Sequence, residues 1–231
     1  MTDDSIRSQR TGTLITEDLL LVLFQPDSGT IAGENTLFYV LAAGVLTDLA
    51  QRGHATIEDA GIRGPRVHAA GDPPEDELLL PMWDYISQKP RGVQTVLAAI
   101  GPGLREPVLD RLVERGELCM QRRRVLGLFP STVLVEGGSG RRAELVAGMR
   151  AALVDGAEPS EHIAALTALV SASGSLPVLH REIPWSGATA TRAKNLENGD
   201  WAAGAAAAAV TRTMIAVVTN SLVVGAVVAN R

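Results

Sequence analysis

Apolar residues recur at helical spacing along most of this chain. Leu37, Val40, Leu41, Val45, Leu46 and Leu49 lie three or four positions apart, which predicts a helix over Thr36 to Gln51 with one buried face. Ahead of it, Leu19 to Phe24 forms a shorter apolar body. There Thr16 is placed to cap, and Glu17 and Asp18 suit the positive end of the helix dipole. Pro26-Asp27-Ser28-Gly29 is a turn. The same spacing predicts helices over Leu78 to Gln88, stopped by Lys89-Pro90, then Gly92 to Ile100, Glu106 to Glu114 and Arg141 to Val154. Ser160 caps a further one running to about Ser171, and Thr189 to Asn198 is a polar helix.

One phrase occurs twice. Leu46-x-x-Leu49-x-x-Arg52-Gly53 returns 63 positions later as Leu109-x-x-Leu112-x-x-Arg115-Gly116. In both copies the leucines share a face, the arginine meets the negative dipole end, and the glycine takes the left-handed cap. Arg52 and Arg115 are therefore assigned to capping. After each copy the helical period stops, and His54 to Glu58 and Glu117 to Gln121 begin strands. From Glu117 to Val135 the pattern is that of a β-hairpin, with Gln121-Arg122-Arg123-Arg124 as a basic tip. Gly137-Gly138-Ser139-Gly140 reads as a flexible connection.

The Ala-rich stretch Trp201 to Asn230 is apolar almost throughout. Arg212 divides it, Asn220 and Ser221 interrupt its second half, and neither half reaches the ~20 apolar residues of a membrane span. A helix apolar all round belongs at the centre of a bundle. The expectation is a mainly α fold, with amphipathic helices around a hydrophobic C-terminal helix, a β-hairpin and short strands. Residues 1–12 form a disordered tail and residues 13–231 a single helical domain.

Composition sharpens this outline. The chain has 231 residues, 46% apolar but only 3% aromatic, so its core is built of Leu, Val, Ile and Ala. Net charge is −5, which does not advertise nucleic acid as a partner. Cys119 is the single cysteine, excluding an intrachain disulfide, and the polar amino end lacks the apolar stretch of a signal peptide. A cytoplasmic protein is expected. The bias to Ala, Gly, Val and Arg points to a bacterial source.

Catalytic constellations are not evident. His54, His68, His162 and His180 show no metal-ligand spacing, and the carboxylates at Glu75 to Glu77 and Asp155 to Glu161 fit helix starts and turns. Neither a metal nor a cofactor is expected, and the protein is read as a non-enzyme. The arginines are more informative: Arg63, Arg66, Arg105 and Arg122 to Arg124 flank the repeated unit, and guanidinium suits phosphate.

In order and spacing these segments resemble the Golgi phosphoprotein 3 family. Leu14 to Leu23 is similar to its opening helix, Leu46 to Ile57 to its helix-Arg-Gly-strand signature, and Gly61-Ile62-Arg63 to the loop that follows. Asp76 to Pro90, Arg105 to Phe129 and Ile163 to Leu176 resemble its later segments. The resemblance implies a peripheral adaptor that binds phosphatidylinositol 4-phosphate or another anionic lipid, contacts protein tails, and forms a homo-oligomer through the hairpin. Of the family's headgroup residues Arg105 lines up. Gly29 to Thr36 holds no tryptophan, and Ala42 and Pro102 stand at two positions the family fills with basic residues. The headgroup contacts are thus Arg105, Arg63 and Arg66, and the oligomerisation hairpin is Met120, Arg122, Arg123, Arg124, Val125 and Leu126. The alternative is a winged-helix-like DNA-binding regulator.

Overall fold

The computed structural model describes residues 12–59, 64–125, 129–198 and 213–218. Helix α1 (Ile15–Leu23) is buried along its whole length, its side chains at most 1% exposed. It packs against α2 (Glu34–Gln51), α5 (Arg105–Glu114), α6 (Arg141–Arg150) and α7 (Glu161–Ala172). Among the described residues, then, the helix enclosed by the others is the first. Of Trp201 to Asn230 only 213–218 are described; they are helical, with Met214, Ile215, Val217 and Val218 buried in the same core. The remainder of that stretch, and residues 1–11 of the tail, lie outside the described residues. No helix among those described is long and apolar enough to cross a membrane.

Close approach of α1 to α2 depends on Gly44. A Cβ there would fall 2.9 Å from the Thr16 Cα and 2.8 Å from Leu19 Cδ1. Thr16 does not cap α1 but lies within it, its hydroxyl donating to the Leu41 carbonyl. Glu17 accepts the Leu14 N–H from within the helix, and Asp48 on α2 accepts the Ile15 and Thr16 N–H groups at 2.9 and 3.2 Å.

The doubled phrase ends two helices in the same way. Gly53 (φ 79°) donates to the Ala50 carbonyl and His54 to Leu49; Gly116 (φ 69°) donates to Val113 and Glu117 to Leu112. Both are six-to-one closures with a left-handed glycine. Helix α7 ends likewise, with Gly174 (φ 69°) donating to Ser171 and Ser175 to Val170. Its start is capped by Ser160, which accepts the Ile163 N–H.

Among the described residues there are also three small antiparallel sheets. β1 (Phe24–Gln25) and β2 (Thr30–Ile31) flank the Pro26–Gly29 turn. β3 (Ala55–Asp59), β4 (Pro65–Ala69) and β5 (Arg91–Gly92) form the second sheet, with α3 (Leu80–Ser87) and α4 (Val93–Ile100) packed on β4. β6 (Leu118–Val125) and β7 (Phe129–Glu136) form a two-stranded arm. The arginine run is not its tip: Arg122, Arg123 and Arg124 pair with Thr132, Ser131 and Pro130 along β6. The base of the arm is tight, because a Cβ at Gly137 would collide with the Gly116 carbonyl oxygen. Gly137 is thus required by contact, not by flexibility. Helix α8 (Gly187–Glu197) packs on α7.

Candidate functional site

Three carboxylates meet around the start of α1 with almost no access to water: Glu17, Asp18 and Asp48 are 0, 0 and 3% exposed. Each is answered by groups from distant parts of the chain. Glu17 accepts the Leu14 N–H at 3.0 Å, Arg115 at 2.8 Å and Arg111 at 3.3 Å. Arg111 also grips Asp76 bidentately at 2.7 and 2.9 Å. Asp18 takes two bonds from Arg141, at 2.6 and 3.2 Å, and lies 2.6 Å from His162 Nε2.

Burial pushes the Asp48 carboxyl up to about 7, although the Ile15 and Thr16 N–H bonds and the Arg52 and His162 charges act the other way. Burial also acts on Asp76, but the Arg111 fork and the Leu78 N–H outweigh it and hold that carboxyl below its usual value. Arg111, Arg115 and Arg141 are therefore committed to structure and are not offered to an external anion. Sequence reasoning gave Glu17 and Asp18 only a dipole role, kept Arg115 as a cap and passed over Asp48. The available signals were two acids inside the run Leu14 to Phe24 and one acid on the apolar stripe Leu41-Val45-Asp48.

Among the described residues, the expected headgroup arginines Arg105 and Arg66 do not meet around one partner. Arg105, at the start of α5, pairs with Glu34 at 3.1 Å, both about half exposed. Arg66 donates to the Pro90 carbonyl, and Arg63 lies outside the described residues. Ala42 is wholly buried in the packing of α2, so that position is not on a surface, whereas Pro102 is exposed just ahead of Arg105. Beside α5 opens a cleft of about 460 Å³ lined by apolar residues (Ile100, Leu104, Pro107) and by three acids (Glu77, Asp110, Glu114) against one cation, Arg111, which is already held by Asp76 and Glu17. This charge repels phosphate and suits a cation.

The arm has the opposite character. Leu118 is buried and Cys119, Met120, Gln121 and Arg122 are all exposed on β6, while Leu134, paired with Met120 from β7, still packs against the core. Met120 and Arg122 point to one side, Met120 being 60% exposed. Arg123, Arg124 and Val125 follow in the strand, and Leu126 lies outside the described residues.

A family model described as Golgi phosphoprotein 3 (GPP34) matches residues 15–213. No curated protein matches the chain.

Proposed function

Because this chain belongs to the Golgi phosphoprotein 3 family, we propose that it works as a non-catalytic peripheral adaptor docking on an anionic lipid surface, with a phosphoinositide such as phosphatidylinositol 4-phosphate as the candidate headgroup. The observation that carries this reading is the β6–β7 arm, which exposes Met120 and Arg122 where a run of three arginines begins. An apolar side chain beside clustered cations is what an anionic interface attracts. Arg105, about half exposed, is the further headgroup contact. The acidic cleft beside α5 is the complementary surface for a basic protein tail, and the arm is the surface through which copies associate.

Co-sedimentation tests the reading with vesicles of phosphatidylcholine alone, with added phosphatidylserine, and with added phosphatidylinositol 4-phosphate. Binding should require the anionic lipid and weaken with Arg122→Glu. A phosphoinositide site adds preference for phosphatidylinositol 4-phosphate at matched charge, lost in Arg105→Ala. Equal recovery on all three vesicles, or binding to duplex DNA instead, would overturn the proposal.

A further inference from the structure

Two large hydrophobic side chains are exposed among the described residues, Met120 at 60% and Trp185 at 54%. The chain has three tryptophans, so placing one outside the core is a pointed use of scarce aromatic surface. Its exposure does not come from a loose loop. Ile183, two residues earlier, is 2% exposed in the core. The Pro184 carbonyl accepts from the Thr189 hydroxyl at 3.1 Å, and Ser186 caps α8 by accepting the Thr189 N–H at 3.1 Å. The backbone on both sides of Trp185 is fixed while the indole is held out.

The β1–β2 turn links this segment to the arm. Gly29 approaches β7 so closely that a Cβ there would lie 2.8 Å from the Leu134 carbonyl oxygen, and Leu134 is the cross-strand partner of Met120. On its other side the turn's Asp27 pairs with Arg181, four residues before Trp185. Between the turn and residues 178–182 lies a polar cleft of about 380 Å³, lined by Arg142, His180 and Arg181 with Asp27 and Glu182. Arg142 lies at its floor, 8% exposed and bonded to Glu182 and to the Phe24 carbonyl.

We propose that the segment from His180 to Ser186 is a second membrane contact, in which Trp185 seats in the interfacial layer of an anionic bilayer while Arg181 faces the lipid phosphates. A rigidly presented indole beside a cation fits a lipid interface, where tryptophan partitions to the headgroup level and guanidinium meets phosphate. This inference rests on the reading of the arm as lipid-facing. It adds a contact separate in sequence from Met120 and Arg122, so that two places on the molecule touch the bilayer and fix its orientation.

The test uses the full chain and vesicles of phosphatidylcholine with phosphatidylserine. With Trp83→Phe and Trp201→Phe, Trp185 is the sole tryptophan; its selectively excited emission should shift to the blue on binding and be quenched by bromine-labelled acyl chains. Trp83 is half-buried and donates to the Ala70 carbonyl, so a second measurement leaves it intact. In the otherwise native chain, Trp185→Ala should bind the same vesicles about tenfold more weakly, with unchanged melting. Bound protein with unshifted emission and undiminished affinity of Trp185→Ala overturns the second contact and leaves the arm's role standing. Failure of the native chain to bind overturns both. A change in self-association without one in vesicle binding would assign Trp185 to a second copy and overturn the membrane contact.

Discussion

Arg52 and Arg115 hold the same place in a repeated phrase, and their neighbours give them different work. Arg52 projects to solvent at the end of α2, whereas Arg115 reaches Glu17, a carboxylate with no exposure of its own. Truncating Arg115 leaves that buried charge to Arg111, already shared with Asp76. Arg115→Ala should cost about 1–2 kcal/mol, below the loss for a fully buried pair because Arg115 is partly solvated. Arg52→Ala should stay within about 0.5 kcal/mol. Urea unfolding of the two variants measures the difference, and equal losses would put Arg115 back among ordinary caps. Asp48 gives a pH signature. The unfolded chain releases its proton near the ordinary value of about 3.9, the folded chain only at about 7. Between these values the native state holds an extra proton, so stability falls as pH rises across that window and levels off above it. The melting temperature of Asp48→Asn should have a flatter slope than wild type between about pH 5 and pH 8. Parallel slopes would remove Asp48 as the titrating group.

At the scale of elements, what the sequence discloses is what repeats locally. The doubled Leu-x-x-Leu-x-x-Arg-Gly phrase gives both helix ends, because a left-handed glycine and its closing hydrogen bonds involve neighbours in the chain. Ser160 as a cap and the Pro26–Gly29 turn are legible for the same reason. The start of α1 is not, since its Ile15 and Thr16 N–H groups are taken by Asp48, more than thirty residues away. The arginine run was misplaced because polarity suggests a tip, whereas the register extends β6 through Val125. Gly137 was read as slack because a glycine needed for contact and one needed for freedom look alike in sequence. A Cβ at Gly137 has no room against the Gly116 carbonyl, while one at Gly138 meets nothing within 4 Å. Gly137→Ala should destabilise by about 1–3 kcal/mol and open β6–β7 to proteolysis. Gly138→Ala should leave thermal unfolding and cleavage as they are; matching behaviour of the two would dismiss the tight base.

For the whole molecule the net charge of −5 sets a useful contrast. A body that is acidic overall is repelled by an anionic bilayer, while a local basic arm is attracted, and added salt weakens both effects. Binding through the arm predicts that vesicle recovery falls as salt rises; recovery that grows with salt would mean that apolar contact alone holds the protein. Self-association is separable from this. With the arm shortened between Arg122 and Phe129, the mass in solution should drop to that of one chain, and an unchanged mass would move the association to another surface. Of the site, Arg105 and the arginine run were visible as residue types, but which cations are spent on buried acids was not. That depends on pairings 94 to 123 positions apart.

The enclosed position of α1 also bears on the order in which the chain is made. It leaves the ribosome well before its partners Arg111, Arg115 and Arg141, which are translated roughly a hundred residues later. During that interval an apolar segment bearing two uncompensated acids has no native place to go, so this protein cannot assemble progressively from its amino end. Nascent chains released short of Arg141 should be caught by chaperones or degraded, because the surroundings of α1 are completed only by residues that arrive late.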